Sequence, residues 1–205
     1  MPVTVGAGKP GEQIKMQLNE EIRIRASRET IFAALNDPAV LQQSIPGCEE
    51  LIKTSDTEFT AVIVMKVGPV KARFTGAVAI SDLIPPESYT ISGQGKAGPA
   101  GHAKGGAKIQ LIEDGDGTLL KYQVEASIGG KLAQLGGRLI ESTAKRLAGK
   151  FFETFEGLVT AEAAGDAQSA QAAPAPAVSG GISPTVWIGG AVIVLGLIIY
   201  LVAGK

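Results

Sequence analysis

The chain is poor in the residues that most often carry chemistry. It has one cysteine, Cys48, and one histidine, His102, in 205 residues. A lone thiol excludes an internal disulfide, and the two residues together cannot supply the ligand set of a structural zinc site. Aromatic residues make up 5% of the chain, with a single tryptophan. An excess of one charge sign is also missing, because 19 Lys and Arg stand against 20 Asp and Glu, a net −1. That balance leaves no basic footprint for nucleic acid. The first fifteen residues, MPVTVGAGKPGEQIK, lack the apolar run of a secretory signal. Residues 1–15 therefore read as a disordered extension outside the fold.

What the chain does have is an apolar end. Residues 186–203, VWIGGAVIVLGLIIYLVA, carry no charge. At ~1.5 Å per residue, a helix of that length just crosses the hydrocarbon of a bilayer. Trp187 and Tyr200 stand near its two ends, where amphipathic rings favour the interface. The segment reads as a single-pass tail anchor with the preceding domain in the cytoplasm, at the inner membrane. Residues 161–185 are rich in Ala, Pro, Gly and Ser and nearly free of large apolar side chains, so they read as a flexible linker. Its root-mean-square reach is roughly 25–30 Å.

Residues 16–160 form the globular part. LNEEIRIRA reads as a strand. SRETIFAALND and DPAVLQQSI read as two short helices, with Ser27 and Asp37 as N-caps and Pro38 at the first helical position. From Glu58 to Ile128 the pattern is period two, broken by turn signals such as GPV, IPPES and EDGDG. One strand face carries Phe59, Ala61, Ile63 and Met65, the next Phe74, Gly76 and Val78, and later ones Ile91, Ile109, Tyr122 and Val124. GGKLAQLGGRLIESTAKRLAGKFFETFEGLVTA reads as one long amphipathic helix. Its apolar stripe includes Leu132, Leu135, Leu139, Leu147, Phe151, Phe155 and Leu158, and Gly136 and Gly137 invite a kink. The order predicts an α+β fold, with a curved antiparallel sheet wrapped around the long C-terminal helix.

GQGKAG, residues 93–98, matches the dinucleotide fingerprint letter for letter. The fingerprint needs a helix after it to meet the pyrophosphate. Here Pro99 and a second alternating strand follow, so the glycines serve a strand pair and not a phosphate.

The inward face mixes large side chains with small ones (Ala61, Gly76, Gly93, Gly95, Ala107, Ala126). Either the helix lies very close, or an apolar cavity remains. The walls of such a cavity are Phe59, Met65, Phe74, Ile91, Ile109, Tyr122 and Val124 from the sheet, with Leu135, Leu139 and Phe151 from the helix. Tyr122 supplies its hydrogen bond. Lys96, His102 and Lys104 rim the open end, as cavity mouth or as partner contact. No catalytic constellation or metal site is expected. Cys48 precedes two acids, Glu49 and Glu50, which raise a thiol pKa and make a poor nucleophile. Glu20 and Glu21 point to opposite strand faces and read as solvated.

The element order resembles the START-like (SRPBCC) helix-grip superfamily. IPGCEEL, the GQGKAG…GHAKGGAKIQL strand pair, GTLLKYQVEASIGGKLAQLG and KFFETFEGLV are together similar to the carbon monoxide dehydrogenase G-subunit family. The resemblance implies a non-catalytic accessory role, recruiting a cytoplasmic molybdenum, iron–sulfur and flavin carbon monoxide dehydrogenase to the membrane. It implies no tightly bound cofactor. Joined to the hollow-looking inner face and the tail, it leads to an expected ligand: a respiratory quinone drawn from the lipid to take electrons for CO oxidation. A purely structural anchor and a cyclase-like enzyme are the alternatives.

Overall fold

The computed structural model describes residues 13–170. The apolar tail and the end of the linker lie outside the described residues. Seven strands form one antiparallel sheet in the order β1-β7-β6-β5-β4-β3-β2. They are β1 (Ile14–Ile24), β2 (Cys48–Lys53), β3 (Glu58–Val67), β4 (Val70–Ile84), β5 (Ser88–Lys96), β6 (His102–Asp114) and β7 (Gly117–Gly129). Two short helices, α1 (Arg28–Ala34) and α2 (Pro38–Ser44), separate β1 from β2. A long helix, α3 (Gly137–Ala170), ends the described chain. This is the helix-grip arrangement that the element order implied.

Local chemistry places most boundaries. Ser27 Oγ accepts from Thr30 N at 3.2 Å, and Asp37 Oδ1 accepts from Ala39 N at 2.7 Å, so both short helices start on capped donors. The Asp114–Gly117 turn has Gly115 at φ +64°. It is held from β1, where Arg23 pairs with Asp114 at 2.8 Å and with Asp116 at 2.9 Å. β1 starts at Ile14, two residues inside the stretch read as an extension, because the alternation of Ile14, Met16 and Leu18 already pairs with β7.

Two features differ from the sequence reading. The long helix is not continuous. Gly130–Leu135 forms a 3₁₀ turn, Gly136 takes φ +87°, and α3 begins at Gly137. The packed stripe is therefore Ile140, Ala144, Leu147, Ala148, Phe151, Phe152, Phe155 and Val159. Leu139 falls off it, 37% exposed, and lies over the β3–β4 turn, with Cδ2 2.8 Å from where a Cβ on Gly68 would sit. At its other end α3 continues to Ala170, into the segment read as linker. The alanine-rich stretch AEAAGDAQSA favours that continuation.

The glycine-rich stretch behaves as a strand pair. Ser88–Lys96 pairs with His102–Gln110 around a 3₁₀ turn, Gly98–Ala100. A Cβ on Gly101 would run into the Gly129 carbonyl oxygen. The β5–β6 and β7–α3 connections thus meet glycine to glycine, a contact that side chains would forbid.

Gly47, between α2 and β2, has φ +80°. Its carbonyl accepts from Val64 N at 2.9 Å, and no room is left for a Cβ beside the Val64 oxygen. Gly47→Ala should lower stability by roughly 1–3 kcal/mol, read as a lower midpoint in urea denaturation.

Candidate functional site

The interior is where the sequence places a cavity. α3 packs chiefly against α2 and β1 and also meets α1 and β3, and the inward side chains of the middle strands are buried. Phe59, Met65, Phe74, Ile91, Ile109, Tyr122, Val124 and Phe151 are all buried. Leu135, half-buried in the 3₁₀ turn, packs against this core, and Leu139 alone is exposed and does not join the others. Phe151 stacks on Phe155 with ring centroids 5.4 Å apart, and Phe152 stacks on Tyr122 at 5.6 Å. The small inward residues Ala61, Ala107 and Ala126 are covered as well.

Two tyrosines enter this interior with different fates. Tyr122 donates to Glu20 Oε2 at 2.8 Å, and Glu20 Oε1 lies 3.7 Å from Lys145 Nζ on α3. Lys145 also pairs with Glu141 at 3.3 Å. Burial pushes the Tyr122 phenol well above the usual tyrosine range, and the hydrogen bond to the Glu20 carboxylate and its charge push it further. The hydroxyl expected to face a ligand is therefore committed to the β1 edge, and Glu20, read as solvated, is turned inward as its acceptor. Glu21 points the other way and pairs with Lys121 at 3.3 Å.

Tyr89 is the opposite case. It is 2% exposed, packs edge-on against Phe32 with centroids 6.0 Å apart, and its hydroxyl has no hydrogen-bond partner. Burial alone pushes its phenol well above the usual range. Arg28 Nε likewise makes no hydrogen bond, although it lies 4.0 Å from Glu29 Oε1 and the terminal nitrogens reach Glu87 and Glu113. The alternation places Tyr89 inward, but nothing in the sequence distinguishes a partnered phenol from an unpartnered one.

A recess of about 1180 Å³ lies elsewhere. It is lined from all seven strands, largely by the exposed and half-buried positions that alternate with the core, on the face averted from α3. Lys96, His102 and Lys104, expected to rim the interior, come together here and are joined by Lys15 of β1. Between their rungs lie the small residues Ala103, Gly95, Gly76 and Ala61. None of the ten expected cavity residues lines it. The His102 ring occupies the space that a Cβ on Gly129 would take. Lys15 falls within the stretch read as an extension, so the sequence reading misses it. The alternation of IKMQL is the signal that could have found it. Among the described residues, no cluster of His, Cys, Asp or Glu is placed to hold a metal ion.

Cys48 is half-buried, and its thiol donates to the Glu50 carbonyl at 3.4 Å. Burial pushes the thiol up to about 11, and the backbone contact offsets this only in part. Burial is what raises it, and not the neighbouring acids. Alkylation of this single thiol by iodoacetamide should accelerate with a midpoint near pH 11, well above that of an ordinary cysteine. Tyr122→Phe leaves the Glu20 carboxylate short of a buried donor, and should lower stability by about 1–2 kcal/mol in denaturant titration. Tyr89→Phe should leave stability unchanged or raise it, since no hydrogen bond is lost.

Comparison with known proteins places this geometry. A conserved protein from Geobacillus kaustophilus is 27% identical, with a TM-score of 0.67 over 71% of this chain and 95% of that one. The Zhui aromatase/cyclase from Streptomyces sp. R1128 is 10% identical with a TM-score of 0.53, over 72% and 94%. Ara h 8.0201 is 15% identical with a TM-score of 0.54, over 72% and 99%. The last two likenesses concern the fold. No curated protein sequence matches. Residues 21–159, more than half of the chain, match the family of the carbon monoxide dehydrogenase G subunit (CoxG). This chain therefore belongs to the CoxG family, the G subunits of carbon monoxide dehydrogenase.

Proposed function

We propose that the protein holds a molybdenum, iron–sulfur and flavin carbon monoxide dehydrogenase at the inner face of the cytoplasmic membrane and offers it a respiratory quinone as electron acceptor. The family supports the association with the dehydrogenase. The uncharged run 186–203 supports the membrane location. The observation that carries the ligand is the Tyr89 hydroxyl, a buried donor without a partner beside the apolar ring of Phe32. An unmet donor of this kind costs roughly 1–3 kcal/mol, and a ligand carbonyl would recover it. A quinone combines an apolar ring and tail with carbonyl oxygens. Oxidation of CO by water releases two electrons and two protons, the number that converts a quinone to a quinol.

The role is non-catalytic. A general acid or base works best with a pKa near the operating pH. Burial pushes both interior phenols and the single thiol the other way. A second reading, an anchor without a ligand, is favoured by the dense interior and by the location of the 1180 Å³ recess on the opposite face.

Both readings meet one experiment on the full chain in detergent. Binding of a short-tailed ubiquinone or menaquinone analogue should raise the melting temperature. Tyr89→Phe should weaken that binding about three- to tenfold, the worth of one neutral hydrogen bond, without lowering the stability of the free protein. No quinone in the purified chain and no thermal shift with either analogue would leave the anchor-only reading. A shift that Tyr89→Phe does not alter would keep the quinone but remove Tyr89 as its donor.

A further inference from the structure

The recess on the face averted from α3 carries three lysines, Lys15, Lys96 and Lys104, against two glutamates, Glu50 and Glu125. Register brings its cations together. Lys96 lies opposite His102, while Lys15 and Lys104 both lie opposite Ser127 on β7. Among the described residues, none of the three lysines makes an ion pair. Elsewhere on the same face, Arg73 pairs with Glu49 at 2.6 Å and Lys121 with Glu21 at 3.3 Å. Like charges on adjacent rungs repel, so the cluster favours an anion brought from outside.

The shape narrows the occupant. The recess crosses seven strands spaced ~4.8 Å apart, roughly 29 Å in all, which matches about nine residues of extended peptide. Glu50 and Glu125 also line it, so negative charge must be placed at particular points and not spread evenly, as on a membrane surface. The position points the same way. Gly137, the first residue of α3, would carry a Cβ 3.7 Å from Ile14, and Arg25 N donates to Glu156 Oε1 at the other end of β1. α3 therefore starts beside the recess and runs away from it. Its 34 residues extend roughly 50 Å before the chain continues toward the apolar run. The recess is at the end of the domain remote from that exit.

We propose that this recess docks an extended acidic segment of a soluble partner protein. The inference rests on the function proposed above only in taking that partner to be the carbon monoxide dehydrogenase.

The test uses the full chain in nanodiscs of uncharged phosphatidylcholine. The probes are a fluorescein-labelled nonapeptide of alternating Glu and Ser and its Lys/Ser counterpart, read by anisotropy. The acidic peptide should bind, and binding should weaken as salt is raised. Lys96→Glu with Lys104→Glu should weaken it by about tenfold or more, and Lys15→Glu alone by less. Lys96→Arg with Lys104→Arg should retain it. Circular dichroism melts check that every variant is folded. Equal binding of both peptides, or no loss in a folded charge-reversed variant, would overturn the proposal. Displacement of the peptide by phosphatidylglycerol vesicles, which is not expected, would assign the recess to a lipid surface instead. In a parallel pull-down, the wild-type chain should retain the dehydrogenase and the charge-reversed chain should not. Failure of the wild-type chain to retain it counts against the proposed function, while the peptide arm still decides the recess. Equal retention by both chains would remove the dehydrogenase as occupant.

Discussion

The first strand of the domain pairs with the last, over eleven rungs from Ile14–Ile128 to Ile24–Thr118. Almost every other feature depends on this pairing. It carries the N-terminal segment across the sheet to the edge where α3 lies. It sets Glu20 opposite Tyr122, and it brings Arg23 to the β6–β7 turn. It also puts Lys15 in the same recess as Lys104, with only β7 between them. A shift of one residue would turn each of these side chains to the opposite face.

The helix is held to that edge by two kinds of contact. An apolar stripe from Ile140 to Val159 fills the space above the sheet, with the three phenylalanines 151, 152 and 155 at its centre. A charged link through Lys145, Glu20 and Tyr122 fixes the helix laterally against β1. The first kind is tolerant of rearrangement, since apolar contact is non-directional. The second is not, because its hydroxyl and carboxylate need one another. Among the described residues, the Tyr89 hydroxyl, against Phe32 of α1, and Arg28 Nε are the buried side-chain polar atoms left without a hydrogen bond.

The two faces of the sheet therefore have separate chemistry. One is largely apolar and covered. The other carries a cationic groove assembled from strand positions that alternate with the core. Tertiary structure keeps them apart because strand side chains alternate by residue. A single segment such as HAKGG thus buries Ala103 at the floor of the groove and projects His102 and Lys104 into it.

The sequence by itself determined the element types, their order, the caps on α1 and α2, and the exclusion of a phosphate site at GQGKAG. It also carried the family, through motifs spread over the globular part. These are local properties: hydrogen bonds within a turn, periodicity within a segment, the conformational freedom of a glycine. Only the tertiary structure decided which of two inward tyrosines has a partner, since Tyr122 and Glu20 are 102 residues apart. The same holds for the groove, which Lys15 and Lys96 come to line together through strand pairing and not through any spacing. It holds also for the start of α3. The sequence marked Gly136 and Gly137 as a weak point, but the break appears only where the turn must also pack against β7 and let the helix cross toward β1. Periodicity reports which side of an element is apolar, and cannot report what a given polar atom will find across a sheet.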